Sequence, residues 1–97
     1  DDTINCGGVK IQIEQVEAAL KAHLDIPIQI TARKDAKFGE IVVLIYNKVK
    51  DEAIVRQVCE KELPTYWVPK AYIAVDELPI TGTGKPDRAT ARRIASL

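Results

Sequence analysis

The sequence predicts a small α+β domain, a mixed β-sheet packed with about three helices. Apolar residues recur at helical spacing in two stretches, and short runs rich in Ile and Val stand between them. The resulting order is strand, helix, strand, strand, helix, strand, helix. With 97 residues, 46% hydrophobic and 29% charged, the chain suits one modest core and argues against disorder.

Residues 2–10 form a polar segment whose Gly7-Gly8 predicts a tight turn or a close backbone approach. Ile13, Val16, Leu20 and Leu24 lie along one face of a first helix, with Glu14 and Glu17 in its first turns, near the positive end of the helix dipole. Residues 26–31 and 41–47 read as strands, separated by a charged hairpin loop over 33–39. The second of these strands is nearly continuous in apolar residues, so both its faces should be covered. Asp51 is a good N-cap for a second helix that buries Ile54, Val55, Val58 and Leu63 and stops at Pro64. Trp67, with Tyr66 and Tyr72, is expected to pack that helix against the sheet. Residues 72–75 form a further strand, and residues 78–86 a loop that leads into a basic helix from about Asp87.

Fourteen basic and fourteen acidic residues balance, so no overall field draws the chain to nucleic acid or an anionic membrane. Cys6 and Cys59 make no CxxC pair and read as reduced thiols of a cytoplasmic protein. No run approaches the ~20 apolar residues of a membrane span. No His/Cys/Asp cluster has metal-ligand spacing. His23, at a helix end, reads as a surface or capping residue, and Arg88, Arg92 and Arg93 as a solvated basic stripe or a docking face.

The densest chemical signal is Leu78-Pro79-Ile80-Thr81-Gly82-Thr83-Gly84-Lys85-Pro86-Asp87-Arg88. A loop ending in a lysine and entering a helix brings backbone N–H groups, the helix dipole and an ammonium together, which suits a phosphate or carboxylate oxygen. A GxxxxGK[ST] phosphate loop fails on spacing, because Pro79 stands where glycine is needed and Pro86 where Ser or Thr is needed. By itself the segment also reads as a surface turn with a solvated lysine. The second signal is Asp1-Asp2-Thr3-Ile4-Asn5-Cys6-Gly7-Gly8-Val9-Lys10, followed at once by the acidic helix Glu14-Gln15-Val16-Glu17. Its glycines would let a ligand or chain lie against bare backbone, with Lys10 available for an anion. A plain β-turn before a helix remains open there.

Taken together the two segments resemble the C-terminal domain of the adenylate-forming superfamily, which includes acyl-CoA synthetases, peptide-synthetase adenylation domains and luciferases. Pro79-Ile80-Thr81, Gly84-Lys85 and Asp87-Arg88 are similar to its C-terminal signature. Asp1, Gly8, Lys10 and Val16-Glu17 are similar to its hinge, glycine turn and following helix. Arg33-Lys34-Asp35 with Phe38-Gly39-Glu40-Ile41-Val42, and Tyr66-Trp67-Val68-Pro69-Lys70, resemble two intervening stretches, so the likeness covers nearly the whole chain.

The resemblance implies that residues 1–97 are one mobile lid, hinged at Asp1 to a large N-terminal domain outside this chain that binds most of the ATP and acid. It implies that Lys85 is catalytic, bridging the substrate carboxylate and the α-phosphate as the acyl-adenylate forms, with Thr81 and Gly84 supporting its loop. After a rotation of the lid, Gly7 and Gly8 would line the CoA channel and Lys10 would lie near nucleotide or CoA phosphates. ATP, CoA and magnesium would be held mainly by the N-terminal domain. Gly7-Gly8-Val9-Lys10 resembles acid–CoA ligases more than peptide synthetases, and the stretch 4–11 is similar to the short o-succinylbenzoate–CoA ligases of menaquinone synthesis.

Two other classes stay open. A single-stranded RNA-binding module of similar topology would need an aromatic stacking platform and basic charge, which this sequence lacks. A scaffolding domain that kept the fold and lost catalysis would be at odds with an intact Lys85.

Overall fold

The computed structural model describes residues 2–97; Asp1, the expected hinge, lies outside the described residues. Strands β1 (Thr3–Cys6) and β2 (Val9–Gln12) precede helix α1 (Ile13–Lys21). Strands β3 (Ile28–Asp35) and β4 (Gly39–Asn47) lead to α2 (Glu52–Glu62) and a short 3-10 turn (Thr65–Trp67). Strand β5 (Ala71–Val75) and helix α3 (Arg88–Ala95) complete the order.

β4 is the axis of the sheet. On one side β3 pairs with it antiparallel along its whole length, from Ile28↔Tyr46 to Asp35↔Gly39. On the other side β5 runs parallel over Val43↔Ala71 to Asn47↔Val75, while β1 meets the start of β4 at Cys6↔Gly39. The sheet is therefore mixed, as expected. The parallel pair requires a crossover, which α2 supplies.

The alternation along β4 divides the core between two faces. Val42, Leu44 and Tyr46 join Val16 and Leu20 of α1 and Val55 and Cys59 of α2 in the larger cluster. Ile41 and Val43 point the other way, against Ala95 of α3, with Ile73 and Phe38 alongside. Both faces of β4 are covered, which explains its unbroken apolar run. No helix among the described residues is long and apolar enough to cross a membrane.

Four expectations need correction. The N-terminal segment is not one strand with a turn but a β1–β2 hairpin, in which Ile4 and Ile11 are fully buried partners. The charged stretch 33–39 is mostly strand: β3 continues through Asp35, and Asp35 accepts from the N–H groups of Lys37 and Phe38 to close a turn over only 36–38. Charged residues can occupy this strand end because their side chains reach water beyond the core. In α2, Asp51 caps as expected, accepting from the Ala53 N–H, but Ile54 is 47% exposed. The buried positions are Val55 and Cys59, one turn apart, and Ile54 lies about 100° round the helix from Val55. Tyr66 is exposed too, leaving Trp67 and Tyr72 to pack on the core.

Candidate functional site

Beyond β5, residues 78–87 make a miniature hairpin. Ile80 and Pro86 form an antiparallel bridge at its neck. The Thr81 N–H donates to the Lys85 carbonyl (2.7 Å), and the Gly84 N–H donates to the Thr81 carbonyl (2.9 Å), closing a four-residue turn over 81–84. The turn leaves Gly84 at φ +85°, which favours glycine. The Thr81 hydroxyl accepts from the Lys85 N–H (3.2 Å) and lies 3.0 Å from the Thr83 hydroxyl. Thr81, Gly84 and Lys85, three residues singled out in the sequence, are thus one hydrogen-bonded unit. Lys85 leaves that unit exposed, and its ammonium has no ion pair among the described residues.

The start of α3 is not the open anion site expected from its position after the loop. Asp87 accepts from the Thr90 N–H (3.1 Å) and the Thr90 hydroxyl (2.8 Å), and these hold its carboxyl below the usual range. The helix N-terminus is capped by its own carboxylate, which leaves the Lys85 ammonium as the loop's cation.

Arg88 and Arg92 correct the expectation of a solvated stripe. Arg88 donates to both carboxylate oxygens of Glu17, at 2.7 and 2.9 Å, and its Nε lies 3.9 Å from Asp2. Glu17 is 7% exposed and also accepts from the Ile30 N–H at 2.9 Å. It serves the outer edge of β3 rather than the dipole of α1. Arg92 binds Glu40 at 2.9 Å, and Arg93 stays exposed, donating to the Thr90 hydroxyl. The pairing of Glu17 with Arg88 escaped the sequence reading, as did the bond from Gln29 Nε2 to the Pro79 carbonyl (2.7 Å). Both left a signal: an acidic residue on the apolar stripe of α1, and a glutamine between two isoleucines in β3.

The glycine hairpin is the second cluster. Cys6 pairs with Val9 across Gly7-Gly8, and φ values of +57° and +86° make a two-residue turn of the type that needs positive φ at both positions. The Gly7 N–H donates to the Phe38 carbonyl (2.8 Å), tying the turn to the β3–β4 connection. Nothing lies within 4 Å of where a Gly8 Cβ would stand, so Gly8 presents bare backbone outward. Lys10 is exposed on β2, three residues after the turn begins. Beside Gly7 a groove of about 270 Å³ is lined by Cys6, Phe38, Val42, Tyr66 and Lys70, with Lys70 Nζ 4.5 Å from the Phe38 ring centre.

The two clusters do not converge. The lysine loop is anchored at Gln29, opposite Ile45, and the glycine hairpin at Gly39. Those anchors are six positions apart on β4, roughly 20 Å at the rise of a strand. Neither cluster encloses a small molecule by itself, and no group of three His, Cys, Asp or Glu among the described residues could hold a metal ion.

Fold and site define a small α+β domain that displays one lysine on a braced loop and bare glycine backbone far from it. Residues 15–85 match the AMP-binding enzyme C-terminal domain, and the chain belongs to that family. Gramicidin S synthase 1 of Brevibacillus brevis is 31% identical over 91% of this chain, which spans 8% of that protein. A 2-succinylbenzoate–CoA ligase of Listeria innocua is 29% identical over 90% of the chain and 19% of the ligase. Among solved structures, a Mycobacterium tuberculosis fatty acyl CoA synthetase superposes with a TM-score of 0.85 at 24% identity, over 98% of this chain and 20% of that one. The chain thus spans about a fifth or less of these proteins.

Proposed function

We propose that the chain is the lysine-bearing lid of an ATP-dependent acid–CoA ligase, working with its own N-terminal domain and inactive by itself. The observation that carries this reading is Lys85: an ammonium with no ion pair among the described residues, at the exit of a turn whose backbone is fixed by Thr81 and Gly84. Adenylation joins two anions, as a carboxylate oxygen attacks the α-phosphorus of ATP and pyrophosphate leaves. A cation between them offsets their repulsion by about 4 kcal/mol at an effective dielectric of 20. Lys85 supplies that cation while the lid is closed, and hinge motion at Asp1 withdraws it afterwards.

Gly7, Gly8 and Lys10 serve the thioester-forming step in this account, with bare backbone beside the pantetheine and an ammonium near CoA phosphates. Their separation from Lys85 supports a lid that offers one end at a time. Magnesium arrives with ATP and is held mainly by the N-terminal domain. For the acid, the similarity to the 2-succinylbenzoate–CoA ligase favours an aromatic dicarboxylate, o-succinylbenzoate. A second reading is an adenylation domain whose acyl acceptor is not CoA, favoured by the likeness to gramicidin S synthase 1.

Acid-dependent ATP–pyrophosphate exchange by the full-length protein tests the reading, with o-succinylbenzoate among the acids and CoA as acceptor. Exchange with one acid, followed by CoA thioester release, is the expected result. Exchange without a CoA thioester favours the second reading. No exchange with any acid returns the domain to a binding or scaffolding role.

A further inference from the structure

We propose that Gln29 and the Glu17–Arg88 pair are positioning residues that aim Lys85, gripping its loop at both ends from the edge of β3. The proposal rests on the reading of Lys85 given above. Residues 81–86 are all exposed, so the loop has no core of its own to set its direction. Its leading end is held at the Pro79 carbonyl, which accepts both Gln29 Nε2 (2.7 Å) and the Asp87 N–H (3.0 Å). Its trailing end is held by Arg88, whose guanidinium is gripped by both oxygens of Glu17. Glu17 in turn is fixed by the Ile30 N–H. The two grips therefore start from adjacent residues of one strand, and Lys85 sits between them.

Gln29 carries a second mark. It is 4% exposed, and its Oε1 is buried without a hydrogen-bond partner among the described residues. An orphaned buried carbonyl is destabilising, and leucine of similar size would avoid it. The glutamine is a poor choice for packing but the right one for holding Pro79. This gives a variant that separates positioning from folding: Gln29→Leu removes the tether and the orphan oxygen together.

The test measures both half-reactions in the full-length protein for Gln29→Leu, Glu17→Gln, Arg88→Lys and the reference Lys85→Ala, with thermal midpoints for each. Misplacing a reacting group by an ångström costs up to about a hundredfold in rate. Gln29→Leu is expected to lower kcat for ATP–pyrophosphate exchange about tenfold or more, with KM for ATP and its thermal midpoint little changed. Thioester formation from presynthesised acyl-adenylate should stay near wild type, and Arg88→Lys should retain more exchange than Glu17→Gln. Wild-type exchange in a folded Gln29→Leu protein, beside a collapse in Lys85→Ala, overturns the proposal while leaving the role of Lys85 standing. Equal losses in both half-reactions also overturn it, since they mark a general structural role. If Lys85→Ala keeps full exchange, the reading of Lys85 fails and the positioning role falls with it. Should Glu17→Gln fail to fold, Gln29→Leu decides alone.

Discussion

Gly8 shows how a single residue can be required by backbone geometry alone. Its φ of +86° lies where an L side chain is strained, yet an added Cβ would meet nothing within 4 Å. Gly8→Ala should therefore cost about 1–2 kcal/mol from the backbone and nothing from packing, read as a lower denaturant midpoint with an unchanged m-value. Glu40 is a residue whose effect depends on pH. Burial alone would raise its carboxyl, but the Asn5 N–H and the Arg92 guanidinium outweigh burial and hold it below the usual carboxylate range. A lowered carboxyl in the folded state means that the unfolded chain takes up the proton first, so the stabilisation is complete above the ordinary value. It is lost as pH falls through the lowered one. Glu40→Gln should destabilise by about 1 kcal/mol or less at pH 7, and the gap from wild type should close in acid, as pH-dependent denaturation curves would show. Glu17 and Gln29 were visible in the sequence as polar residues in apolar settings, but their partners lie 71 and 50 positions away. Nothing local names such a partner.

At the scale of elements, what could be read from sequence were the periodic parts. The stripe of α1 as far as Leu20, the apolar run of β4 and the Asp51 cap of α2 each express one local rule, and each holds in the structure; Leu24, expected on the helix, is buried just beyond its end at Lys21. The extent of β3 was harder to read, because Arg33, Lys34 and Asp35 carry the composition of a loop. They remain strand because β4 supplies partners as far as Gly39. In α2 the buried face was misjudged by one residue, placing Ile54 where Cys59 belongs; a cysteine gives a weaker apolar signal than an isoleucine. Burial pushes the Cys59 thiol up to about 11, whereas Cys6 is partly exposed. Native protein at pH 8 should therefore react promptly with a thiol reagent at Cys6. Cys59 should react only as fast as α2 opens, and prompt modification of both would show that α2 is not packed as described.

For the whole molecule, the sheet separates the two candidate sites. β4 carries the core on both faces, and the lysine loop and the glycine hairpin are anchored at different points along it. The motifs of both clusters were legible because chemistry concentrates Gly, Thr and Lys in short segments. Their distance from each other was not, since it follows from the pairing of β3 and β1 with β4. That separation gives the proposed lid two working ends, and it predicts that damage at one end spares the reaction served by the other. The most direct test is Lys85→Ala in the full-length protein, with the two half-reactions measured separately. The account predicts a loss of acid-dependent ATP–pyrophosphate exchange of about a hundredfold or more, while thioester formation from presynthesised acyl-adenylate persists near the wild-type rate. Exchange that survives the substitution would contradict the account at its centre.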